Sequence, residues 1–91
     1  MRQNRHTWNV KTSQQLGRAL RSFRMQHGLT QQQLADQVGV HRRVLARLEN
    51  GETTKQLRML LELLLALGVE MRLEQARPEN TDATLGPKDG L

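Results

Sequence analysis

The sequence predicts a mainly α-helical domain that ends in one short β-strand. Apolar residues recur every three to four positions over much of residues 13–67, and capping residues or glycines stand at the ends of the periodic segments. Apolar and charged residues then alternate over residues 69–74, which predicts a strand over residues 69–75. With 91 residues, the chain has room for one small domain with a modest core.

The first helix is expected to begin after residues 12–15, which have the spacing of a capping box, and to end at Gly28. Before it, residues 1–11 are predicted to form a polar, basic arm, from which Trp8 and Val10 could pack onto the domain. One face of the helix is predicted to be buried because four residues recur there at helical spacing: Leu16, Leu20, Phe23 and His27.

Residues 30–51 predict two short helices joined by a tight turn. Thr30 is the expected cap of the second helix, and the third begins at Val40 or His41 and stops at residues 50–51. Gly39 lets the chain pass through a left-handed conformation, and a small residue suits the place where two helices cross closely. That small residue is Ala35, and the residues predicted to fill the crevice between the helices are Leu34, Val38, Leu45 and Leu48.

The fourth helix is expected to run from about Thr54 to Leu67, with Gly68 as its stop signal. Its apolar stripe covers much of the circumference, which is more than the core of so small a domain requires. A fully buried central helix is one explanation, but a 91-residue chain has little material to wrap one. We therefore favour burial against a partner subunit. The helical residues assigned to that interface are Leu60, Leu63, Leu64 and Leu67.

Residues 69–75 carry the one strand signal that we identify in the sequence. A lone strand leaves backbone N–H and C=O groups unpaired, so its partner is expected to be its own copy across a two-fold axis. Val69, Met71 and Leu73 would then form the apolar face of the dimer. Charge favours a register centred on Met71 or Leu73, because centring on Arg72 would set glutamates opposite each other. The alternative is a loop or a continuation of the fourth helix.

The predicted segments differ in charge. Residues 1–50 hold nine Lys or Arg and two acidic residues, a net charge of +7, whereas residues 51–91 have a net charge of −2. A polyanionic partner is therefore expected on the basic half. The alternative is that these side chains merely solvate helix surfaces. The segments are the arm, a helix-turn-helix domain over 12–68, a dimerisation strand over 69–76 and a flexible tail over 77–91.

Several classes of protein receive no support from the sequence. The chain has no cysteine, so it can form neither a disulfide nor a thiolate zinc site. Its three histidines are scattered and no glycine-rich phosphate loop occurs, so we expect no enzyme activity, metal or cofactor. We see no signal peptide, and the longest apolar run is too short to span a bilayer, so a cytoplasmic protein without a membrane partner is expected.

Residues 13–67 resemble the five-helix, lambda-repressor-like domains of the XRE or Cro/C1 family. The matching positions are Leu16-Gly17, Leu20, Arg24, Gly28-Leu29-Thr30-Gln31, Leu34-Ala35, Gly39-Val40 and Leu48-Glu49-Asn50-Gly51. The resemblance implies a bundle of four to five helices whose third helix enters the DNA major groove. More narrowly, the small size, the VKTSQQL segment and the GVEMRL strand are similar to HipB-type antitoxins.

The family resemblance also implies roles for individual residues. Gln31 would bond a backbone phosphate, and Arg24 and Glu49 would form an ion pair that orients the third helix. Val44 departs from the serine, threonine or alanine of many relatives, and either touches a thymine methyl or packs. The residues expected to contact DNA are Gln31, His41, Arg42, Arg43, Val44, Arg47, Asn50 and Lys55. Which arginine reads bases and which contacts phosphate stays open.

Three functional hypotheses follow. The first is a dimeric repressor on an inverted repeat that is also the antitoxin of a HipA-type Ser/Thr kinase toxin and represses its own operon, located at the nucleoid. The second is a stand-alone phage or host regulator without a toxin. The third is a protein-interaction module whose helix-turn-helix is vestigial. The basic residues of the third helix argue against the last hypothesis, because a vestigial surface has no need of them.

Overall fold

The computed structural model describes residues 7–76 of the chain. Within this range the predicted mainly α-helical fold is confirmed, and the helices are accompanied by a small antiparallel sheet. The elements in chain order are β1 (Thr7–Val10), α1 (Ser13–Gln26), α2 (Gln31–Val38), α3 (Arg42–Glu49), α4 (Lys55–Ala66) and β2 (Met71–Glu74). The predicted flexible tail and the first six residues of the predicted arm lie outside the described residues.

The first two helices begin at capping boxes, which the sequence predicted for α1, whereas for α2 it predicted only that Thr30 is the cap. The Thr12 hydroxyl accepts a hydrogen bond from the Gln15 backbone N–H at 3.1 Å, and the Gln15 side chain accepts one from the Thr12 N–H at 3.3 Å. Thr30 and Gln33 repeat the arrangement at the start of α2. These reciprocal bonds satisfy N–H groups that a helix start otherwise leaves unpaired.

The turn between α2 and α3 has the predicted geometry. Gly39 has a φ of 85°, and its N–H donates to the Ala35 carbonyl at 2.8 Å. Ala35 is 1% exposed, which shows that the helices cross closely there. The prediction that Val38 fills the crevice was wrong, because this side chain is 65% exposed. Val38 is the last residue of α2, and the buried position of this helix lies one turn earlier, at Ala35.

The core lies where α1, α4 and the sheet meet. Its buried residues are Val10, Ala19 and Leu61, and half-buried side chains surround them, namely Trp8, Leu16, Phe23, Met71 and Leu73. His27 does not belong to this face, contrary to the sequence prediction. It is exposed at the C-terminal cap of α1, where its Nδ1 lies 3.0 Å from the Phe23 carbonyl oxygen.

The sheet corrects two of our expectations. Residues 69–75 are not the only strand, and the partner of β2 is β1 of the same chain, antiparallel to it. The paired residues are Thr7 with Glu74, Trp8 with Leu73, Asn9 with Arg72 and Val10 with Met71. β1 has four residues and only two alternations of polar and apolar side chains, which is too short a pattern to predict a strand. The sequence therefore predicted an arm at this position. Met71 and Leu73, assigned to a dimer interface, pack instead against the core of their own chain.

α4 lies at the surface and is not a fully buried central helix. Leu61 is its buried position, and Leu57 and Leu64 are half-buried. Its remaining large apolar side chains are 46–56% exposed, and they are Met59, Leu60, Leu63 and Leu65. Leu67 and Val69, which follow the helix, are exposed as well. None of the helices in residues 7–76 combines the length and hydrophobicity needed to cross a membrane.

Gly17 sets how closely α1 approaches the end of α3. A Cβ atom at this position would lie 2.8 Å from the Glu49 carbonyl oxygen and would also meet the Leu48 carbonyl oxygen. We expect Gly17→Ala to push the two backbones apart and to reduce the free energy of unfolding by about 1–3 kcal/mol. Urea unfolding measures this loss. The neighbouring Arg18→Ala, on the exposed face of α1, is the control, and equal midpoints for the two variants would show that the approach is not tight.

Candidate nucleic-acid interface

The outward side of α3 is basic. Arg42, Arg43 and Arg47 are all exposed, while Leu45 and Glu49 turn the opposite side of the helix inward. Arg43 and Arg47 are four residues apart and so share one face of the helix. Arg42 lies on the flank toward α2, where its Nη1 donates a hydrogen bond to Gln31 Oε1 at 3.3 Å. The three arginines therefore point in two directions.

Three further side chains frame this surface. Val44 is 47% exposed, so it is free to contact a ligand rather than being a core residue. His41 is the N-cap of α3, and its Nδ1 accepts a hydrogen bond from the Arg43 backbone N–H at 3.0 Å. Thr53 lines the same shallow groove as Arg43 and Arg47. Its hydroxyl lies 3.1 Å from that of Ser13, which ties the loop after α3 to the start of α1.

Asn50 and Lys55 lie at the far end of the candidate site. Asn50 is the exposed C-cap of α3, and Lys55 is the exposed first residue of α4. Neither side chain lines the groove formed by α3 and the loop that follows it. The structure therefore brings His41, Arg43 and Arg47 together and leaves these two residues beside them.

The N-terminal ends of α2 and α3 add positive potential to the arginines. Neither helix has an acidic residue in its own first turn that would offset the partial positive charge of the helix end. The bond between Arg42 and Gln31 joins the first residues of these two helices. An anion such as a phosphate is favoured at helix ends of this kind.

A buried ion pair holds α3 against α1. Arg24 donates to both carboxylate oxygens of Glu49, from Nε at 2.6 Å and from Nη2 at 3.1 Å. The two side chains are only 11% and 3% exposed. Nη1 of Arg24 donates to the Leu29 carbonyl at 2.7 Å, so the guanidinium also fixes the loop that leads into α2. The pair thus joins α1, α3 and the loop that leads into α2.

Hydrogen bonds to Glu49 outweigh the cost of burying its charge. Burial alone would raise the pKa of the Glu49 carboxyl, but hydrogen bonds from Arg24 and Gln31, with the nearby charges of Arg24 and Arg21, lower it below its ordinary value. The hydrogen bond to Glu49 raises the pKa of Arg24 in turn. Both residues are therefore charged at neutral pH.

The sequence did not predict where the Gln31 side chain lies. Its Nε2 donates to Glu49 Oε1 at 3.0 Å, while its Oε1 accepts from Arg42. The side chain therefore bridges the buried pair and an exposed arginine. No local pattern could have shown this, because 18 residues separate Gln31 from Glu49. The family resemblance implies that Gln31 contacts a phosphate. Its backbone N–H and the second N–H of its side-chain amide would be the donors of that contact.

The comparison with protein families identifies this arrangement. A family model described as "Helix-turn-helix" matches residues 20–73, which is more than half of the chain. The chain belongs to the XRE family of helix-turn-helix domains. The match includes α2, α3 and α4 and ends within β2.

A curated relative supports the same family. The chain is 40% identical over 57 residues to a protein of Haemophilus influenzae named as an uncharacterized HTH-type transcriptional regulator. The match covers 63% of this chain and 58% of the relative's length. No solved structure matches the chain significantly.

The lowered pKa of Glu49 gives the helix-turn-helix domain a predictable response to acid. The stabilisation by ionised Glu49 is complete above the unfolded-state pKa of about 4.3 and is lost as pH falls through the lower folded-state pKa. At pH 7, Glu49→Gln should reduce the free energy of unfolding by about 3–5 kcal/mol, because Arg24 remains buried without its counter-ion. The difference in unfolding free energy between wild type and Glu49→Gln should become smaller as the pH is lowered through and below 4.

Urea unfolding at a series of pH values tests this response. Glu62→Gln removes a carboxylate from the exposed side of α4 and is the matched control, for which no comparable loss at neutral pH is expected. A gap between wild type and Glu49→Gln that stays constant from pH 7 to pH 3 would contradict the ion-pair account.

Proposed function

We propose that this chain is a sequence-specific DNA-binding transcriptional regulator that acts as a repressor. The observation that carries the proposal is the exposed row of arginines on α3, held in place by a buried ion pair beneath it. α3 would enter the major groove, where an arginine can bond O6 and N7 of one guanine. The name of the Haemophilus relative supports the same class of function. The exposed apolar face of α4 would suit the protein-interaction alternative, but that alternative leaves the exposed arginines of α3 without a role.

The proposal gives the parts of the site different tasks. Arginine charges and two helix N-termini would hold the phosphate backbone and provide affinity for any duplex. Sequence preference would come from side chains that reach base edges, with Val44 placed to contact a thymine methyl. The Arg24–Glu49 pair would touch no base and would orient α3.

We also propose that the regulator is a homodimer through the outer face of α4. Met59, Leu60 and Leu63 on this helix, and Leu67 directly after it, are about half exposed or more, so the described chain leaves them largely uncovered. A continuous apolar stripe on so small a protein is typical of an interface. A second copy fits best, because a two-fold axis through such a stripe places like residues against each other. This interface does not need β2, which is already paired.

A dimer of this kind would bind an inverted repeat. Its two recognition helices would enter successive major grooves about 34 Å apart. Selecting duplexes from a pool of random double-stranded DNA with the purified protein should therefore yield a palindromic sequence.

Binding to that selected duplex should depend on salt and on the α3 arginines. Affinity should fall steeply as salt rises, because lysine and arginine displace counterions from the phosphates. Arg42→Ala, Arg43→Ala and Arg47→Ala should each weaken binding by about 1–3 kcal/mol, and at least one should relax base preference. Arg58→Ala, which removes an exposed arginine from α4, is the control. If the three α3 variants bind like wild type, the assignment of the recognition helix is wrong.

The dimer proposal is tested by charging its interface. Leu63→Lys should convert the dimer to a monomer in sedimentation, because burying an unpaired ammonium is strongly unfavourable. Affinity for the full palindrome should then fall by at least about tenfold, while binding to a single half-site persists. Glu62→Lys alters the adjacent exposed residue outside the stripe and should leave the dimer intact. If the Leu63→Lys protein sediments as wild type does, α4 does not form the dimer interface.

More narrowly, we propose that the regulator is the antitoxin of a HipA-type Ser/Thr kinase toxin and represses its own operon at the nucleoid. The similarity of the VKTSQQL and GVEMRL segments to HipB-type antitoxins supports this proposal. The first segment runs from the end of β1 into α1, and the second leads into β2. Both segments include residues of the sheet, and the first also reaches the loop after α3 through Ser13 and Thr53.

Purification of the tagged protein from its source cell tests the antitoxin proposal. A kinase-like protein should co-elute, and the complex should bind the palindrome more tightly than the regulator alone. Recovery of no such partner, in a genome with no kinase-like gene beside this one, would leave the stand-alone regulator as the function.

A further inference from the structure

We propose that a groove between β1 and the outward side of α1 binds an acidic, extended segment of another protein. The groove holds about 420 Å³, and its lining residues are Trp8, Arg18, Arg21, Ser22, Met25 and Gln26. We call it the α1 groove. It is too shallow to enclose a small molecule, whereas an extended chain can lie along it. The proposal does not rest on DNA binding, because it concerns a different surface.

The α1 groove carries charge of one sign. Arg18 and Arg21 are exposed, and no aspartate or glutamate is among the residues that line the groove. Among the described residues 7–76, neither guanidinium makes a hydrogen bond or a contact ion pair. The two side chains are one helical turn apart, with about 5–6 Å between their Cβ atoms, so both can reach the same ligand. Carboxylates are the side-chain groups that pair most strongly with a guanidinium, so the groove suits an acidic partner.

Trp8 and Met25 give the groove an apolar part. Trp8 packs against the core but is only half-buried, so the exposed part of its ring has a fixed position. Met25 is 58% exposed, and a flexible thioether can adapt to the shape of a partner. The Trp8 indole N–H has no hydrogen bond within residues 7–76, so it can donate to a backbone carbonyl. A free anion would use the arginines alone, whereas a polypeptide uses all of these groups.

The order of the residues along α1 indicates which sequence fits the groove. Arg18, Arg21 and Met25 follow one another at intervals of three and four positions, which places them on one side of the helix. In an extended segment, every second side chain points to the same side, at intervals of about 7 Å. A segment with the pattern acidic-x-acidic-x-apolar would therefore set two carboxylates against the arginines and one apolar side chain against Met25.

The α1 groove is separate from the basic surface of α3. Gly17 and Arg24 are residues of α1 that meet the end of α3. Arg18 and Met25 each follow one of them by one position, which turns them roughly 100° around the helix. A segment bound in the α1 groove would therefore leave the arginines of α3 free.

A peptide selection tests the proposal. A library of random peptides without tryptophan is first depleted on the Arg18→Glu/Arg21→Gln variant, which removes peptides that bind elsewhere, including those that bind the α3 arginines. The remaining peptides are selected on the wild-type chain, and those enriched should carry the acidic-x-acidic-x-apolar pattern. Trp8 is the only tryptophan in the chain, so binding in the groove should change the tryptophan emission, and binding elsewhere should not.

Two further variants, each with a control, separate contacts in the groove from general effects. Met25→Ala should weaken binding of the selected peptides by about three- to tenfold, because apolar contact is lost. Met59→Ala, which shortens an exposed methionine of α4, should have no effect. Lys55→Gln/Arg58→Glu on α4 changes the net charge as much as the depletion variant does. It should bind the peptides within about twofold of wild type, because distant exposed charges are screened by salt.

The proposal is wrong if no peptide is enriched, if the enriched peptides leave the Trp8 emission unchanged, or if Lys55→Gln/Arg58→Glu weakens binding by tenfold or more, on the order of a contacting charge. A single-stranded oligothymidylate that quenches Trp8 at a lower concentration than the peptides would also overturn it. Such a result would identify a nucleic-acid surface, since bases stack on aromatic rings. A chain that binds the peptides but selects no palindromic duplex would contradict the proposed function and not this proposal.

Discussion

The Arg24–Glu49 ion pair is the interaction on which the rest of the site depends. It joins the last residue of α3 to α1, and it does so beside Gly17, where the backbones approach too closely for a side chain. Burying two charges is costly unless their hydrogen bonds are satisfied. Here the carboxylate receives bonds from Arg24 and Gln31, and the guanidinium also reaches the Leu29 carbonyl. An interaction so demanding in geometry gives α3 one orientation.

The rest of the fold separates two surfaces around this pair. The sheet brings both ends of the described chain onto α1, so that Val10, Met71 and Leu73 complete the core. β2 pairs with β1 of the same chain. The apolar surface that stays exposed is therefore the outer face of α4, and the basic surface is on α3. The proposed homodimer and the proposed DNA contact would therefore use separate surfaces.

Local signals in the sequence predicted the helices well. Thr12 and Thr30 act through residues three positions away, and Gly39 through its own φ, so a short window contains the whole cause. The prediction for the sheet was wrong because the alternation in β1 lasts only four residues. Pairing between strands more than sixty residues apart also leaves no local pattern in the sequence. The bridge by Gln31 was missed for the same reason. The basic character of α3 was predictable, but the different surroundings of Arg42 and Arg43 were not.

We infer that the buried Arg24–Glu49 pair orients α3 and does not merely stabilise the domain. The most direct measurement compares folding stability and DNA affinity in the double variant Arg24→Met/Glu49→Leu. Apolar replacement of both partners of a buried pair is often nearly neutral for stability. We therefore expect the double variant to have an unfolding free energy close to that of wild type. Its affinity for the selected palindrome should nevertheless be at least about tenfold lower than the affinity of wild type. A double variant that is stable and binds the palindrome with wild-type affinity and preference would contradict the account.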